Sequence, residues 1–184
     1  MTYQLSKTLV LVGLMGAGKT AIGKLVAARL GVPSLDSDQE LVRAANMSIA
    51  EIFERDGEPF FRLKETQVLE RLLKGPPCVL STGGGAYLSA ENRRLISEFG
   101  VAVWLKADLD LLWDRVKHKD TRPLLRVPNP KEKLRELYEA RMPFYQKAEI
   151  AVEAERGLSL EQMTDKVVRA LLADPKSGVK EVVE

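Results

Sequence analysis

The chain has 184 residues, 45% of them hydrophobic and 29% charged, with a formal net charge of +2. That balance suits one soluble globular domain around one sizeable core, and the near-neutral charge without a long basic run gives no case for nucleic-acid binding. No apolar stretch reaches membrane-spanning length, and one cysteine (Cys78) with one histidine (His118) leaves nothing for an internal disulfide, a histidine metal site or a Ser-His-Asp triad.

Residues 1–7 lack the apolar centre of a signal peptide, which together with the lone cysteine predicts a cytoplasmic protein. The apolar run 8–12 reads as a strand. After it comes Gly13-Leu14-Met15-Gly16-Ala17-Gly18-Lys19-Thr20, which fits G-x-x-x-x-G-K-[S/T] at every fixed position and opens the helical pattern 19–30. Glycines let backbone N–H groups approach an anion, and the helix N-terminus adds partial positive charge. Lys19 can reach the β- and γ-phosphates, and the Thr20 hydroxyl can ligate Mg²⁺.

A second strand at 33–36 ends on Asp36-Ser37-Asp38. Two carboxylates beside a nucleotide site have distinct uses: one holds Mg²⁺, the other orients or deprotonates an attacking hydroxyl. Asp and Ser also suit a turn or a helix N-cap. Helices are predicted at 39–54 and 59–74 and a third strand at 78–82, in which Cys78 reads as a buried, inert thiol. Ser81-Thr82-Gly83-Gly84-Gly85 follows. Three consecutive glycines carry an entropic cost that a substrate-facing loop would justify, its N–H groups donating to an oxygen. Ser81 is in range of a metal's hydration shell.

Further elements are a helix at 89–98, a strand at 101–106, helices at 108–118 and 131–147, a strand at 149–153 and a helix at 159–173. Ser89 and Ser159 read as N-caps, and Gly31, Gly75, Gly100 and Gly157 stand where helices should stop. His118 falls in a charged, solvated stretch. Residues 119–130 carry three prolines and read as a mobile loop; the tail 174–184 reads as disordered. The βα alternation predicts an α/β fold, a parallel sheet covered by helices on both faces, with ligands at the carboxyl ends of the strands.

Taken in order, the motifs resemble shikimate kinase over roughly residues 8–150. They are Gly-Leu-Met-Gly-Ala-Gly-Lys-Thr at 13–20, Asp-Ser-Asp at 36–38, Ile-Phe-Glu-Arg-Asp-Gly-Glu-Pro-Phe-Phe-Arg at 52–62 and Leu-Ser-Thr-Gly-Gly-Gly-Ala at 80–86. Thr-Arg-Pro-Leu-Leu at 121–125 and the arginine-tyrosine segment at 138–145 complete the set. The resemblance implies a single three-layer P-loop kinase domain over 1–184, its five parallel strands in the order 2-3-1-4-5, with a substrate-binding subregion at about 37–65 and a lid at about 119–130. It implies ATP-dependent phosphorylation of the 3-hydroxyl of shikimate by a cytoplasmic monomer that uses Mg²⁺.

Carried over to this chain, Gly16, Ala17, Gly18, Lys19, Thr20 and Ala21 would cradle the phosphates. Thr20 would bind Mg²⁺ directly and Asp36 through water. Asp38 would bind the shikimate hydroxyls and serve as base or orienter. Arg62 and Arg141 would grip the shikimate carboxylate; residue patterning alone would not single these two out. Gly83, Gly84 and Gly85 would face the substrate, Gly84 through its N–H. Arg122 would close over the phosphates, and Arg115 would lie against the adenine. Phe53, Phe61 and Glu65 are further pocket positions. One departure is Glu153-Ala154-Glu155-Arg156-Gly157, which lacks the proline of the family's adenine loop; Arg156 stands in that segment.

Other readings are a gluconate kinase or another small-metabolite kinase, a GTPase, or a non-catalytic nucleotide-binding module. The arginine pair with Asp-Ser-Asp and the triple glycine favours shikimate over gluconate. No Asn-Lys-x-Asp guanine motif is present. Intact Lys19, Thr20, Asp36 and Asp38 favour catalysis.

Overall fold

The computed structural model describes residues 1–118 and 125–183. In chain order, β1 (Thr2–Leu5) and β2 (Thr8–Val12) lead into α1 (Lys19–Leu30), and β3 (Ser34–Asp36) into α2 (Ser37–Ala45) and α3 (Ile49–Leu73). β4 (Val79–Ser81) leads into a 3-10 turn (Ala86–Leu88) and α4 (Ala90–Phe99), and β5 (Gly100–Lys106) into α5 (Leu109–Val116) and α6 (Pro130–Tyr145). β6 (Ile150–Glu153), α7 (Leu160–Ala173), a 3-10 turn (Pro175–Ser177) and β7 (Val179–Val182) complete the chain.

Five strands form one parallel sheet in the order β3-β4-β2-β5-β6. Counted without β1, that is the expected 2-3-1-4-5. All five residues of β2 are buried, as are the first six of β5, because helices cover both faces of the sheet. At the edge, β6 alternates buried and exposed residues instead. The main core spreads from β2, β4 and β5 to α1, α4, α5 and α7, while Leu41, Ile52, Phe61 and Val68 form a smaller cluster beneath α2 and α3.

Register brings the loops together. Ser81 pairs with Leu11 on one side and with Asp36 on the other. The P-loop, the Asp-Ser-Asp turn and the triple glycine therefore leave the sheet from nearly the same level.

Three expectations need correction. The segment predicted as disordered at 174–184 contains β7, which pairs antiparallel with β1, Thr2 opposite Val182 and Leu5 opposite Val179; Val179 and Leu5 are buried beneath this ribbon. The single helix predicted at 39–54 is two. Asn46 ends α2 in the left-handed conformation at φ 52°, and Ser48 starts α3 by accepting the Glu51 N–H. The predicted gap between 54 and 59 is present as a break inside α3 at Gly57, whose φ of 81° and ψ of 170° are not helical. Gly31 and Gly100 do cap helices, whereas Gly157 turns the loop after β6 at φ 88°. The stretch 119–124 of the expected lid, with Arg122, lies outside the described residues. Cys78 is buried and free, its thiol 3.8 Å from the Thr8 hydroxyl, and His118 is exposed.

Candidate active site

The P-loop is shaped by left-handed glycines, with Gly16 at φ 85° and Gly18 at φ 93°. Gly18 caps α1 without a side-chain hydrogen bond, and the first turn holds no acidic residue. The helix thus presents its first N–H groups, from Lys19, Thr20 and Ala21, uncapped to an anion. Lys19 Nζ donates to the Gly13 carbonyl across the loop, and the Thr20 side of the helix is exposed.

α5 supports this loop from behind. A methyl group at Gly16 would lie 2.9 Å from Val116 Cγ1. Arg115 Nη1 donates to the carbonyls of Gly16 at 3.0 Å and Ala17 at 3.3 Å. Partial burial and the nearby Arg156 charge lower the Arg115 pKa. Those carbonyl contacts turn the loop's oxygens outward, which the glycine motif alone does not reveal. Arg156 itself pairs with Asp114 on α5, next to Arg115.

Asp36 caps α2: its Oδ1 accepts the N–H groups of Asp38 at 2.9 Å and Gln39 at 3.1 Å. The N-cap reading of this motif is therefore correct, and it orients the carboxylate at the sheet edge. Ser81 donates to the Lys19 carbonyl at 3.0 Å. It does so across Gly23, where a Cβ would be 2.9 Å from Ser81 Oγ.

The triple glycine is where the charged groups meet. A methyl group at Gly83 would lie 2.9 Å from both carboxylate oxygens of Asp38. One at Gly84 would lie 2.7 Å from an Arg141 nitrogen, and one at Gly85 2.6 Å from Arg62 Nη2. None of the three has positive φ. Close approach, not backbone conformation, is what requires glycine here. Behind the loop, the Gly83 and Gly85 carbonyls accept the N–H groups of Ala86 and Leu88, both at 3.2 Å. Among the described residues, none of the three glycine N–H groups donates to a protein acceptor.

Burial, with repulsion from Asp36, raises the Asp38 pKa above 3.8 against the pull of Lys19 and Arg62. Arg62 Nη1 donates to Glu65 at 2.9 Å, and its Nε lies 3.6 Å from Glu58. Glu65 is buried, and that burial raises its own pKa despite Arg62. Phe61 lies beneath the Arg62 guanidinium, 5.1 Å from carbon to ring centre, and against Phe53 with centroids 4.7 Å apart. Arg62, Phe53, Phe61 and Glu65 thus form one group around the kinked helix.

A magnesium ion needs few protein ligands here. It takes one or two side-chain oxygens, with phosphates and waters completing the shell. The Thr20 hydroxyl and the Asp36 carboxylate fit that requirement as a donor set. Among the described residues no three acidic, histidine or cysteine side chains form a closed cage, and no helix is long and apolar enough to cross a membrane.

A family model described as shikimate kinase matches residues 15–172. A shikimate kinase from Ruegeria pomeroyi is 64% identical over 167 residues, covering 91% of this chain and 86% of that one. A solved structure of a shikimate kinase from Acinetobacter baumannii in complex with shikimate superposes with a TM-score of 0.83 at 39% identity, over 91% of this chain and 93% of that one. A gluconokinase from Sinorhizobium meliloti reaches a TM-score of 0.63 at 15% identity over 92% and 94%, which shows a shared fold alone.

Proposed function

The chain belongs to the shikimate kinase family and phosphorylates the 3-hydroxyl of shikimate with ATP, a step in aromatic amino-acid biosynthesis; from that premise we propose how its own residues divide the work. The N–H groups from Gly16 to Ala21, with Lys19, hold the donor phosphates. Asp38 takes the acceptor hydroxyl, either aligning it or accepting its proton. Arg62, Arg141 and the N–H groups of Gly83–Gly85 hold the carboxylate end. Arg122 brings a further positive charge from the segment between α5 and α6. Arg115, which buttresses the P-loop carbonyls, also borders the adenine, with Arg156 beside it.

In the reaction the shikimate 3-oxygen bonds to the γ-phosphorus while the bond to the bridging oxygen of ADP breaks. Transfer of this kind needs alignment and charge neutralisation, with little covalent work for the protein. Lys19 and the arginines offset the phosphate charge, and the raised pKa of Asp38 suits a group that receives a proton. Thr20 and Asp36 are the residues that would hold Mg²⁺, which supplies charge neutralisation between the phosphates. We infer a monomeric, cytoplasmic enzyme.

The observation that carries this reading is the loop Gly83–Gly85, where Asp38, Arg141 and Arg62 each stand against one glycine in turn. A small ring with hydroxyls at one end and a carboxylate at the other matches one carboxylate and two guanidinium groups around a floor of N–H groups. The test is ADP release in a coupled assay with shikimate, with gluconate at equal concentration, and with neither. Release that depends on shikimate is expected; preference for gluconate would overturn the assignment.

A further inference from the structure

The hydrogen bond between Tyr145 and Gly84 has no part in the scheme above. Tyr145 ends α6, one turn beyond Arg141, and is 2% exposed. Its ring lies against Trp104 of β5, with centroids 6.1 Å apart, and its hydroxyl donates to the Gly84 carbonyl at 2.7 Å.

Of the three glycine carbonyls, those of Gly83 and Gly85 are held by backbone N–H groups inside the same turn. Only the Gly84 carbonyl is held by a side chain. A peptide unit flanked by glycines rotates at little steric cost, because neither residue has a Cβ to oppose it. In a trans peptide the carbonyl and the next N–H point in opposite directions. Fixing the Gly84 carbonyl against Tyr145 therefore fixes the Gly85 N–H on the face away from Tyr145. The next anchor in the chain is also buried: Asn92 donates to the Ala86 carbonyl at 2.9 Å.

We infer that Tyr145 is a positioning residue for shikimate, its hydroxyl holding the Gly84–Gly85 peptide so that the loop's N–H groups and Arg141 face the carboxylate together. The inference rests on the reading that the glycine loop and the two arginines hold that carboxylate. Burial also raises the Tyr145 pKa, so the hydroxyl remains a donor throughout the neutral range.

The test compares Tyr145→Phe with the parent. Loss of one oriented hydrogen bond should raise the shikimate KM about three- to tenfold. kcat should change less than KM, and the ATP KM should hold. Incorporating 4-aminophenylalanine at 145 restores a donor at the same place and should bring the shikimate KM back. An unchanged shikimate KM in Tyr145→Phe overturns the inference. So does a parallel rise in both KM values that follows a lowered melting temperature, or a failure of the amino analogue to rescue. Arg141→Ala serves as the reference. If it too leaves the shikimate KM unchanged, the carboxylate reading fails; if it raises that KM while Tyr145→Phe does not, only the role of Tyr145 fails.

Discussion

The guanidinium of Arg62 occupies the space that a side chain on residue 85 would fill. A Cβ there would be 2.6 Å from Nη2 and 2.9 Å from Nη1. Gly83 stands in the same relation to Asp38. In both cases the obstacle is the far end of a flexible side chain, so alanine can be accommodated by moving that side chain, and the fold survives.

Gly85→Ala should therefore act on binding. Displacing Arg62 should raise the shikimate KM about ten- to a hundredfold, the worth of a charge-assisted hydrogen bond, with the melting temperature nearly unchanged. Gly83→Ala should act on turnover, lowering kcat on the order of a hundredfold as Asp38 loses its alignment. Steady-state kinetics on the two variants checks the contrast. Identical kinetic defects in both would refute it.

Asp38→Asn should lower kcat about 10²- to 10⁴-fold while ATP binding persists. It should not lower the melting temperature at pH 7. The folded-state pKa of Asp38 lies above its ordinary 3.8 because burial disfavours the charge. The folded protein therefore binds this proton more tightly than the unfolded chain, and ionisation costs stability as pH rises through the folded pKa. Asparagine removes that cost at neutral pH, and the benefit should fade as pH falls through the folded pKa towards 3.8 and be gone below it. A variant that melts lower than the parent at pH 7 would contradict this.

The rate of the parent enzyme should fall on acidification as Asp38 takes up its proton, with the limb above 3.8. Arg62 lowers this pKa, so Arg62→Ala should move the limb to higher pH. A kcat profile measured at saturating shikimate separates this shift from weakened binding. A limb that stays in place or moves lower would show that Arg62 does not act on Asp38.

Arg115 holds the carbonyls of Gly16 and Ala17. Arg115→Ala should raise the ATP KM about tenfold, the loss of one or two charged hydrogen bonds, and leave the shikimate KM alone. Measuring each KM with the other substrate saturating decides it; a defect confined to shikimate would be the wrong sign of coupling for this placement.

What the sequence makes legible follows from how local each signal is. The P-loop, Asp36 with Asp38, and the glycines each lie directly after an apolar run, so strand and site are read together. The α2–α3 break was equally local, since Asn46 and Ser48 with Glu51 mark a helix end and a new start; the apolar periodicity running on through them hides it. β1 and β7 were not legible. A lone four-residue strand is a weak pattern, and these two become a ribbon only through pairing across the length of the chain. Arg62 and Arg141 lie in the same difficulty. Nothing in a helical stretch distinguishes an arginine facing water from one facing Gly85 or Gly84, and only the resemblance to a known family selected them. The second role of Arg115, behind the P-loop, needs α5 and residue 16 in contact, which no spacing along the chain announces.

The shared level of Leu11, Ser81 and Asp36 sets different tolerances for two kinds of genetic change. Substituting a buried residue of β4 alters packing but leaves the rung in place. Inserting or deleting one residue between Val79 and Gly85 shifts everything beyond it by about 3.3 Å and turns alternate side chains to the opposite face. Asp38, Arg141 and Arg62 would then meet the wrong glycines, or none. Length changes are better borne at 74–77, before the strand begins, where the chain is largely exposed. The site is thus protected less by the identity of any single strand residue than by the count of residues between strand and loop.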